Sequence, residues 1–390
     1  MQPPTACNAS RRPGVGSERT AVDTANYNPQ DAAEDRTVCL AMVGDLLPAG
    51  PPDATLGPRT ERRLAKAREL LAGADVALAN LECTLGGDGW RVASEPRVVT
   101  APAGIRAIAA AGFNVLSLAN NHMFDAGPAG FRQLRDLLGG LGVRAFGAGA
   151  DLAEAARPAI VESKGIRLAF LAAADHRSGA GPFAAPGRAG VAPWDVQALI
   201  ARVRELAGQV HHVIVCPHWG EERLALPAPG QVAEARRLID AGASLVIGHH
   251  PHVVQGMERY GRGVIAYSLG NFVAGHVGFS DGDTLAWTRT ERSGCLLRVR
   301  LSATEVRSLE QVPTYDDGQC VRHGASRAAR RRLRERNRQV AGGVTAARYR
   351  RERVRVKTLL PIAQHLRWSR LRRLGWRNLR NAWRRLTRPD

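Results

Sequence analysis

The sequence predicts an α/β fold with parallel strands, because short apolar segments alternate with longer amphipathic ones along the chain. Residues 38–43 and 243–247 are apolar and of strand length, whereas residues 102–111 and 194–206 carry apolar side chains at helical spacing. Gly112 follows the first of these helices, and glycine commonly ends a helix. We therefore expect strand–helix units whose strands deliver their carboxyl ends to one edge of a sheet.

The charge of the chain is concentrated near its C-terminus. Of the 390 residues, 44% are hydrophobic, which is typical of a globular protein, and the formal net charge is +19. Residues 322–390 hold 23 of the 55 basic residues but only 3 of the 36 acidic ones, which leaves 32 bases and 33 acids in residues 1–321. A neutral core without a recognition motif argues against a nucleic-acid-binding protein.

Composition divides the chain into a polar leader over residues 1–36, a core over residues 37–321 and a basic tail over residues 322–390. The leader lacks periodicity and is predicted to be disordered. It has no apolar signal-peptide core, and no stretch reaches membrane-spanning length. The six cysteines are widely spaced and indicate no disulfide framework. We expect a cytoplasmic protein, peripheral at the inner face of the membrane if the tail binds lipid.

Three histidines, His249, His250 and His252, follow the predicted strand 243–247 within four positions. Imidazole is the commonest neutral nitrogen ligand of divalent transition metals, and ligand sites in open sheets lie at the carboxyl ends of strands. The alternative is that each histidine is a solvated loop residue. Because three occur together at a strand end, the pattern favours a metal site.

Polar side chains also follow other predicted strands. Each has a structural alternative: Asp45 could cap a helix, Asn120 and Asn121 could form turns, and Glu82 could be a solvated loop carboxylate. Their joint occurrence at one sheet edge favours an active site. The polar residues at these strand ends are Asp45, Asn80, Glu82, Asn120, Asn121, His122, His218 and Asn271.

The donor types indicate the metal and the chemistry. Carboxylate, amide and imidazole ligands together suit Mn, Fe or Zn better than calcium, whose sites lack imidazole. Either Glu82 or Asp45 could bridge two ions, and bound ions lower the pKa of water enough to make a nucleophile near neutral pH. His122 follows Asn121 and is placed to donate a proton to a leaving oxygen.

Six motifs together carry a resemblance to one family. Taken in order over residues 37–275, they resemble the CapA family of poly-γ-glutamate capsule biosynthesis proteins, which is similar to the calcineurin-like metallophosphoesterases. This resemblance implies a four-layer α/β/β/α sandwich over residues 37–321 with a two-metal centre. The motifs are Gly44-Asp45-Leu46-Leu47, Ala79-Asn80-Leu81-Glu82, Ser117-Leu118-Ala119-Asn120-Asn121-His122, Pro217-His218-Trp219-Gly220-Glu221-Glu222, Gly248-His249-His250-Pro251-His252-Val253-Val254-Gln255 and Tyr267-Ser268-Leu269-Gly270-Asn271-Phe272.

The resemblance also implies a role for the polar residues. Glu82 takes the place of the acid that bridges two ions, His122 takes that of the adjacent proton donor, and Asp45 is the second predicted catalytic residue. Three amides are predicted to bind substrate, at Asn80, Asn120 and Asn271. The implied metal ligands are Asp45, Glu82, Asn121, His218, His250 and His252.

One position departs from the related phosphoesterases, which place a histidine two residues after the first aspartate; here that residue is Leu47. The resemblance implies a metal-dependent hydrolase that acts on a phosphoester, or on a related acyl bond, in the synthesis or attachment of an anionic polymer such as poly-γ-glutamate. The alternative, which Leu47 favours, is a non-catalytic assembly factor that binds polymer or membrane.

The basic tail contains an amphipathic segment over residues 366–386. On a helical wheel Trp368, Trp376 and Trp383 lie on one side, and arginines cover much of the remainder. Such a surface is suited to an anionic membrane or to a polyanion. The alternatives are a solubilising tail and a tryptophan face that docks on the core.

Overall fold

The computed structural model describes residues 36–49, 56–86, 96–279, 284–324 and 327–365. Nearly all of the predicted leader, and the tryptophan-rich segment of the tail, lie outside these residues. Within the described part the strands form two large sheets and two short ribbons. No helix of the described part is long and apolar enough to cross a membrane.

The larger sheet is formed by eight of the described strands, which are Val38–Leu47 (β1), Val76–Leu81 (β2), Val115–Ser117 (β5), Arg144–Phe146 (β6), Asn271–Ala274 (β15), Ser293–Leu301 (β16), Val306–Asp316 (β17) and Val321–His323 (β18). Strands β1, β2, β5 and β6 are neighbours in that order and run parallel, and β15 runs parallel to the end of β1. Strand β16 pairs antiparallel with the first half of β1. On its other side β16 pairs antiparallel with β17, which pairs antiparallel with β18.

The smaller sheet is formed by six of the described strands, which are Ala159–Ser163 (β8), Ile166–Ala174 (β9), His212–His218 (β11), Ala243–Ile247 (β12), Met257–Tyr260 (β13) and Gly263–Ala266 (β14). Strands β9, β11, β12 and β14 are parallel, with β8 and β13 antiparallel at the edges. The ribbons pair Thr84–Leu85 (β3) with Val99–Thr100 (β4) and Ala148–Gly149 (β7) with Gly190–Val191 (β10).

Helices cover the outer face of each sheet. The described helices are Leu56–Leu64 (α1), Ala67–Leu71 (α2), Pro102–Ala110 (α3), Gly127–Gly140 (α4), Leu152–Ala155 (α5), Val196–Ala207 (α6), Pro229–Asp240 (α7), Arg327–Ala341 (α8), Ala346–Val354 (α9) and Leu360–His365 (α10), with a 3-10 turn at His176–Ser178 and a π-helical turn at Arg355–Leu359. Apolar side chains of α1 to α4 join the core of the larger sheet, and those of α6 and α7 pack against the smaller sheet.

Alternation along the strands of the smaller sheet separates two cores. In β9, Phe170 and Ala172 belong to the core shared with the larger sheet, whereas Ala169 and Leu171 belong to the core shared with α6 and α7. Phe170 also contacts Phe146 of β6, with ring centroids 5.9 Å apart, which joins the sheets. The layers are therefore helix, sheet, sheet and helix, and the predicted four-layer sandwich is confirmed.

The helical pattern at the start of the core is interrupted in the structure. The amphipathic pattern over residues 60–71 predicts a single helix, but the structure has α1 and α2, separated by a turn at Ala65 and Lys66. A continuous helix would hold Leu64 and Leu70 about 120° apart. The turn places both leucines in the same core.

The first helix of the basic tail packs against the core. Leu333 and Val340 of α8 are buried, and Asn337 Nδ2 donates a 2.7 Å hydrogen bond to Gln311 Oε1 of β17. The tail is largely helical from Arg327 to His365, whereas Arg322 and His323 belong to β18. The division of the chain into a core and a tail at residue 321 stays a prediction.

A buried histidine, His212 of β11, ties the two sheets together. Its Nε2 donates to the carbonyl oxygen of Ser302 (2.6 Å), which follows β16, and its Nδ1 accepts from Ser244 Oγ (2.8 Å) in β12. Burial lowers the pKa of His212. Folding therefore favours the neutral imidazole.

Replacement of His212 by leucine should lower the free energy of unfolding by about 1–3 kcal/mol, because the Ser302 carbonyl is left buried without a donor. Since folding lowers the His212 pKa, the advantage of the wild type should be full above about pH 6.5 and should decline as the pH falls. Urea denaturation at about pH 7.5 and about pH 5 measures both effects. A stability difference that does not change with pH would contradict the assignment of a neutral His212.

Candidate metal centre

Glu82 lies between two groups of buried side chains that could each hold a metal ion. In one group Glu82 lies with His218 and His250, and in the other it lies with Asp45 and His252. Within each group the potential ligand atoms all lie within 4.8 Å of one another. The structure thus brings five of the six predicted ligands together around one shared carboxylate.

The spacing of these atoms suits an ion between them. His252 Nδ1 is 3.5 Å from Asp45 Oδ2, and His252 Nε2 is 3.6 Å from Glu82 Oε1. His218 Nε2 is 3.9 Å from the same Glu82 oxygen. Two ligand atoms that bind the same ion, each at about 2.0–2.2 Å, lie roughly 3–4 Å from one another. These contacts are therefore long for hydrogen bonds but ordinary for ligands that share an ion.

Several buried polar atoms at this centre have no hydrogen-bond partner among the described residues. Buried polar atoms in proteins are nearly always paired. A divalent ion would satisfy these atoms, because carboxylate and imidazole are both good ligands of transition metals. The donor set therefore fits a metal. The unpaired atoms include Glu82 Oε1, His250 Nδ1 and both ring nitrogens of His249.

The two carboxylates draw positive charge into a fully buried site. Burial raises the pKa of Glu82 well above its usual value. Burial would also raise the pKa of Asp45, but the nearby imidazoles of His249 and His252 hold it well below its usual value. Burial acts to lower the pKa of His252, yet Glu82 and Asp45 raise it to about 10. For His250, burial and then the charge of His252 lower the pKa to about 3.

Asn121 and Asn271 contact the ligand imidazoles. Asn121 Oδ1 lies 2.8 Å from His218 Nε2, and Asn271 Oδ1 lies 2.9 Å from His252 Nδ1. Outer-shell amides of this kind set the orientation of metal-binding rings. The predicted roles of Asn121 as a ligand and of Asn271 in substrate binding stay predictions.

Asn80 and Asn120 form a buried chain of hydrogen bonds behind the carboxylates. Asn80 Nδ2 donates to Asp45 Oδ1 (2.8 Å) and also approaches Glu82 Oε2 (3.3 Å). Asn120 Nδ2 donates in turn to Asn80 Oδ1 (3.2 Å) and to the carbonyl oxygen of Leu81 (2.8 Å). These contacts fix the carboxylates, while the predicted binding of substrate by Asn80 and Asn120 stays a prediction.

An irregularity in β1 aims Asp45 at the centre. The register of β1 with both of its parallel neighbours shifts next to Asp45, and such irregularities redirect side chains. Asp45 N donates to the carbonyl oxygen of Gly270 (2.9 Å). A Cβ atom on Gly44 would lie 1.7 Å from that oxygen, so the close approach requires glycine at this position.

The histidine loop has an unusual backbone. His250 and His252 have φ angles of 95° and 56°, which residues other than glycine rarely adopt. Each such residue costs on the order of 1–3 kcal/mol and persists where surrounding contacts enforce it. His249 N supplies one of these contacts by donating to the carbonyl oxygen of Pro217 (2.9 Å). The loop thus holds both imidazoles in fixed positions.

His122 is held by a carboxylate that sequence patterns did not assign. His122 Nδ1 lies 2.7 Å from Asp125 Oδ2, which also accepts from Val98 N (2.8 Å). Because the carboxylate accepts a hydrogen bond from Nδ1–H, Nε2 is left as the nitrogen that can exchange a proton with a substrate. Asp125 stands three residues after His122, a spacing that could have indicated the pair.

Two further residues were not assigned from sequence. His249 Nδ1 lies 3.3 Å from Asp45 Oδ1 in the first ligand group. The charges of His252 and His250 lower the pKa of the exposed Glu222. Both residues lie within the motifs that resemble the family, which was the available signal. Leu47 is buried and offers no ligand.

Solved structures similar to this chain include a hypothetical protein from Thermus thermophilus, with 15% identity, a TM-score of 0.44, and coverage of 72% of this chain and 100% of that chain. The NAD nucleotidase of Haemophilus influenzae has 11% identity and a TM-score of 0.44, with coverage of 83% of this chain and 60% of that chain. At these scores the likeness supports no conclusion about the fold or the reaction.

Curated relatives are similar in sequence. The capsule biosynthesis protein CapA of Bacillus anthracis is 35% identical over 213 residues, which cover 54% of this chain and 49% of that protein. The PGA biosynthesis protein CapA of Bacillus subtilis (strain 168) is 35% identical over 202 residues, or 52% of this chain and 50% of that protein. This chain thus spans about half the length of both Bacillus relatives.

A third relative is matched over more of its length. The probable polyglutamine synthesis accessory protein of Mycobacterium tuberculosis is 33% identical over 282 residues, which cover 66% of this chain and 73% of that protein. The profile of the family described as bacterial capsule synthesis protein PGA_cap matches residues 39–276, the region that contains every ligand named above. The chain therefore belongs to the bacterial capsule synthesis protein family PGA_cap.

Proposed function

We propose that this protein is a metal-dependent hydrolase that acts on a phosphoester, or on a related acyl bond, in the synthesis or attachment of an anionic polymer such as poly-γ-glutamate. The observation that carries the proposal is the position of Glu82 in two buried groups of potential ligands. The relatives named for capsule and PGA biosynthesis supply the polymer class.

Different side chains of the centre would bind the two metal ions. Glu82 would contact both ions. Asp45 and His252 would complete the ligands of one ion, and His218 and His250 would complete those of the other. Asn121 would complete the predicted set beside His218. Bound Mn, Fe or Zn would supply a Lewis acid and lower the pKa of water. Buried carboxylates and amides hold the ligands rigidly, which such a centre requires.

Proton transfer is proposed for His122. Its Nδ1 is held by Asp125, so the imidazole can donate from Nε2 to a leaving oxygen. The side chain of His122 is 13% exposed, whereas Asp45 and Glu82 are fully buried. Of these three side chains, His122 is the one that an entering substrate can reach.

A second candidate function is a non-catalytic assembly factor that binds polymer or membrane. The aliphatic Leu47 favours it, because this position carries a histidine in the related phosphoesterases and here supplies no ligand. The helical basic tail also favours it, since arginines dominate α8 and α9. The two functions differ in whether bonds are broken.

A hydrolysis assay on the full chain separates the two functions. The protein is loaded with Mn, Fe(II) or Zn and supplied with nitrophenyl phosphoesters and with γ-linked oligoglutamate esters. The proposal expects turnover that chelation abolishes and that the same metal restores. Binding of oligoglutamate without turnover under any of these metals would contradict the hydrolase and favour the assembly factor.

A further inference from the structure

A cavity of about 240 Å³ lies between helix α8 and the strands β16 and β17. Residues of the loop before β16 and of both strands form one side, and α8 forms the other. No carboxylate lines this cavity. Its polar lining includes Arg289, Thr290, Ser293, Thr314, Arg332 and Arg336.

The arginines of this cavity form no ion pair with any residue that the structure describes. Arg336 donates from Nη1 to the neutral Gln339 Oε1 (3.0 Å). Burial lowers the pKa of Arg336, although the charge of Glu352 acts to raise it. The cavity therefore concentrates positive charge that an anion would neutralise.

A buried hydroxyl in the same cavity also lacks a partner. Thr314 of β17 is 3% exposed, and its Oγ1 has no hydrogen-bond partner among the described atoms. A buried hydroxyl without a partner is rare, so Thr314 Oγ1 is free to bind a water or a ligand in the cavity. This hydroxyl can donate to an anionic oxygen that the arginines attract.

The cavity adjoins the candidate metal centre. Val254, which lines it, lies two residues after His252. Arg289 lies two residues after Trp287, whose ring meets the His252 ring edge-on with centroids 5.4 Å apart. A ligand in the cavity would thus lie directly behind the histidine loop.

The positive surface continues along the tail helices to the other side of the centre. Arg336 also lines two neighbouring depressions, in which arginines of α8 and α9 outnumber the acidic residues Glu335 and Glu352. Arg338 pairs with Glu335 and Arg355 pairs with Glu352, so the other arginines are the ones available to an anion. Tyr349 of α9 donates to Glu221 Oε1 (2.8 Å), next to Glu222 at the metal centre. The additional arginines of the depressions are Arg331, Arg338, Arg348, Arg351 and Arg355.

We propose that this cavity is a carboxylate-binding subsite that holds an acidic polymer chain beside the metal centre. The identity of the polymer rests on the proposed function. Guanidinium groups bind carboxylates through paired, charge-assisted hydrogen bonds, and Thr314 adds a neutral donor. A polymer chain that occupies the cavity and the neighbouring depressions would place successive carboxylates beside successive arginines.

The test measures binding of a labelled γ-linked oligoglutamate to the full chain by fluorescence anisotropy. Ionic strength near 0.15 M suppresses attraction to distant charges. The Arg332→Gln, Arg336→Gln double variant should bind about tenfold or more weakly, because two charge-assisted hydrogen bonds are lost. The matched control is Arg330→Gln, Arg334→Gln on the same helix, which removes the same charge from positions outside the cavity.

Two single variants guard against unfolding of α8 as the cause. Arg289→Gln lies outside that helix, and Thr314→Val removes only the hydroxyl at nearly constant volume. Each should weaken oligoglutamate binding by about threefold or more while the circular dichroism spectrum stays unchanged. Unchanged binding in both would overturn the subsite.

Other outcomes also decide the question. Equal losses in the cavity variant and its control would show unspecific attraction and overturn the proposal, as would absence of binding by the wild type. If the wild type binds a single-stranded oligonucleotide more tightly than oligoglutamate, and the same variants lose this binding, the cavity is a phosphate subsite and the carboxylate proposal is overturned. The metal content of each variant is measured in parallel. A cavity variant that keeps its metal but no longer binds oligoglutamate would show that the subsite is distinct from the metal centre. Binding of oligoglutamate by wild-type protein that contains no metal would support the subsite but not the hydrolase.

Discussion

Replacement of Glu82 by glutamine should abolish hydrolysis and weaken metal binding by more than about 100-fold. Glu82 is the one side chain that belongs to both groups of potential ligands, and its Oε1 has no other partner among the described residues. The glutamine amide keeps the shape but removes the charge that draws cations into a buried site. Competition with a coloured chelator measures the affinity, and nitrophenyl phosphoester turnover measures the rate.

The matched control is Glu305→Gln, an exposed carboxylate whose described ion pair is with Arg307. It removes the same charge from the surface and should change neither metal affinity nor rate. Loss of only one of two ions in Glu82→Gln would still fit a bridging ligand. Full metal binding and full rate in the Glu82 variant would exclude a centre built around this carboxylate.

Replacement of Asp125 by asparagine should lower the rate by about 10²–10⁴-fold while metal content is retained. Asp125 acts as a positioning residue, because it accepts from His122 Nδ1 at 2.7 Å and leaves Nε2 to donate the proton. The asparagine amide can present an N–H to that nitrogen and reverse the tautomer. Steady-state kinetics with metal-loaded protein measures the loss.

The leaving group of the ester distinguishes this role from a structural one. A nitrophenolate leaves without a proton, whereas an alkoxide needs one, so the loss should be much smaller for nitrophenyl esters than for alkyl esters. His122→Gln should show the same dependence on the leaving group. Equal losses for both classes of ester would contradict proton donation by the His122–Asp125 pair.

Strand ends were the most predictable part of the molecule. Buried parallel strands are recognisable as short apolar runs, and their carboxyl ends meet at one edge of the sheet. Asp45, Glu82, His218 and His252 could therefore be expected together although 207 residues separate the first from the last. Their convergence around Glu82 follows from that topology.

Side-chain contacts between loops were less predictable. The pairing of His122 with Asp125 depends on the turn between them, and the pairing of His249 with Asp45 depends on a backbone irregularity in β1. Neither feature has a periodic pattern in the sequence. The docking of α8 was also hidden, because only Leu333 and Val340 are buried in a helix dominated by arginine.

The most direct test is elemental analysis of the full chain purified without chelator, compared with His250→Ala, His252→Ala and with a His323→Ala control. His250 and His252 belong to different ligand groups, whereas His323 is exposed on β18. The proposed centre predicts about two transition-metal ions per chain in the wild type and the control, and their loss in the double variant. Wild-type protein without stoichiometric metal, or a double variant that retains both ions, would contradict it.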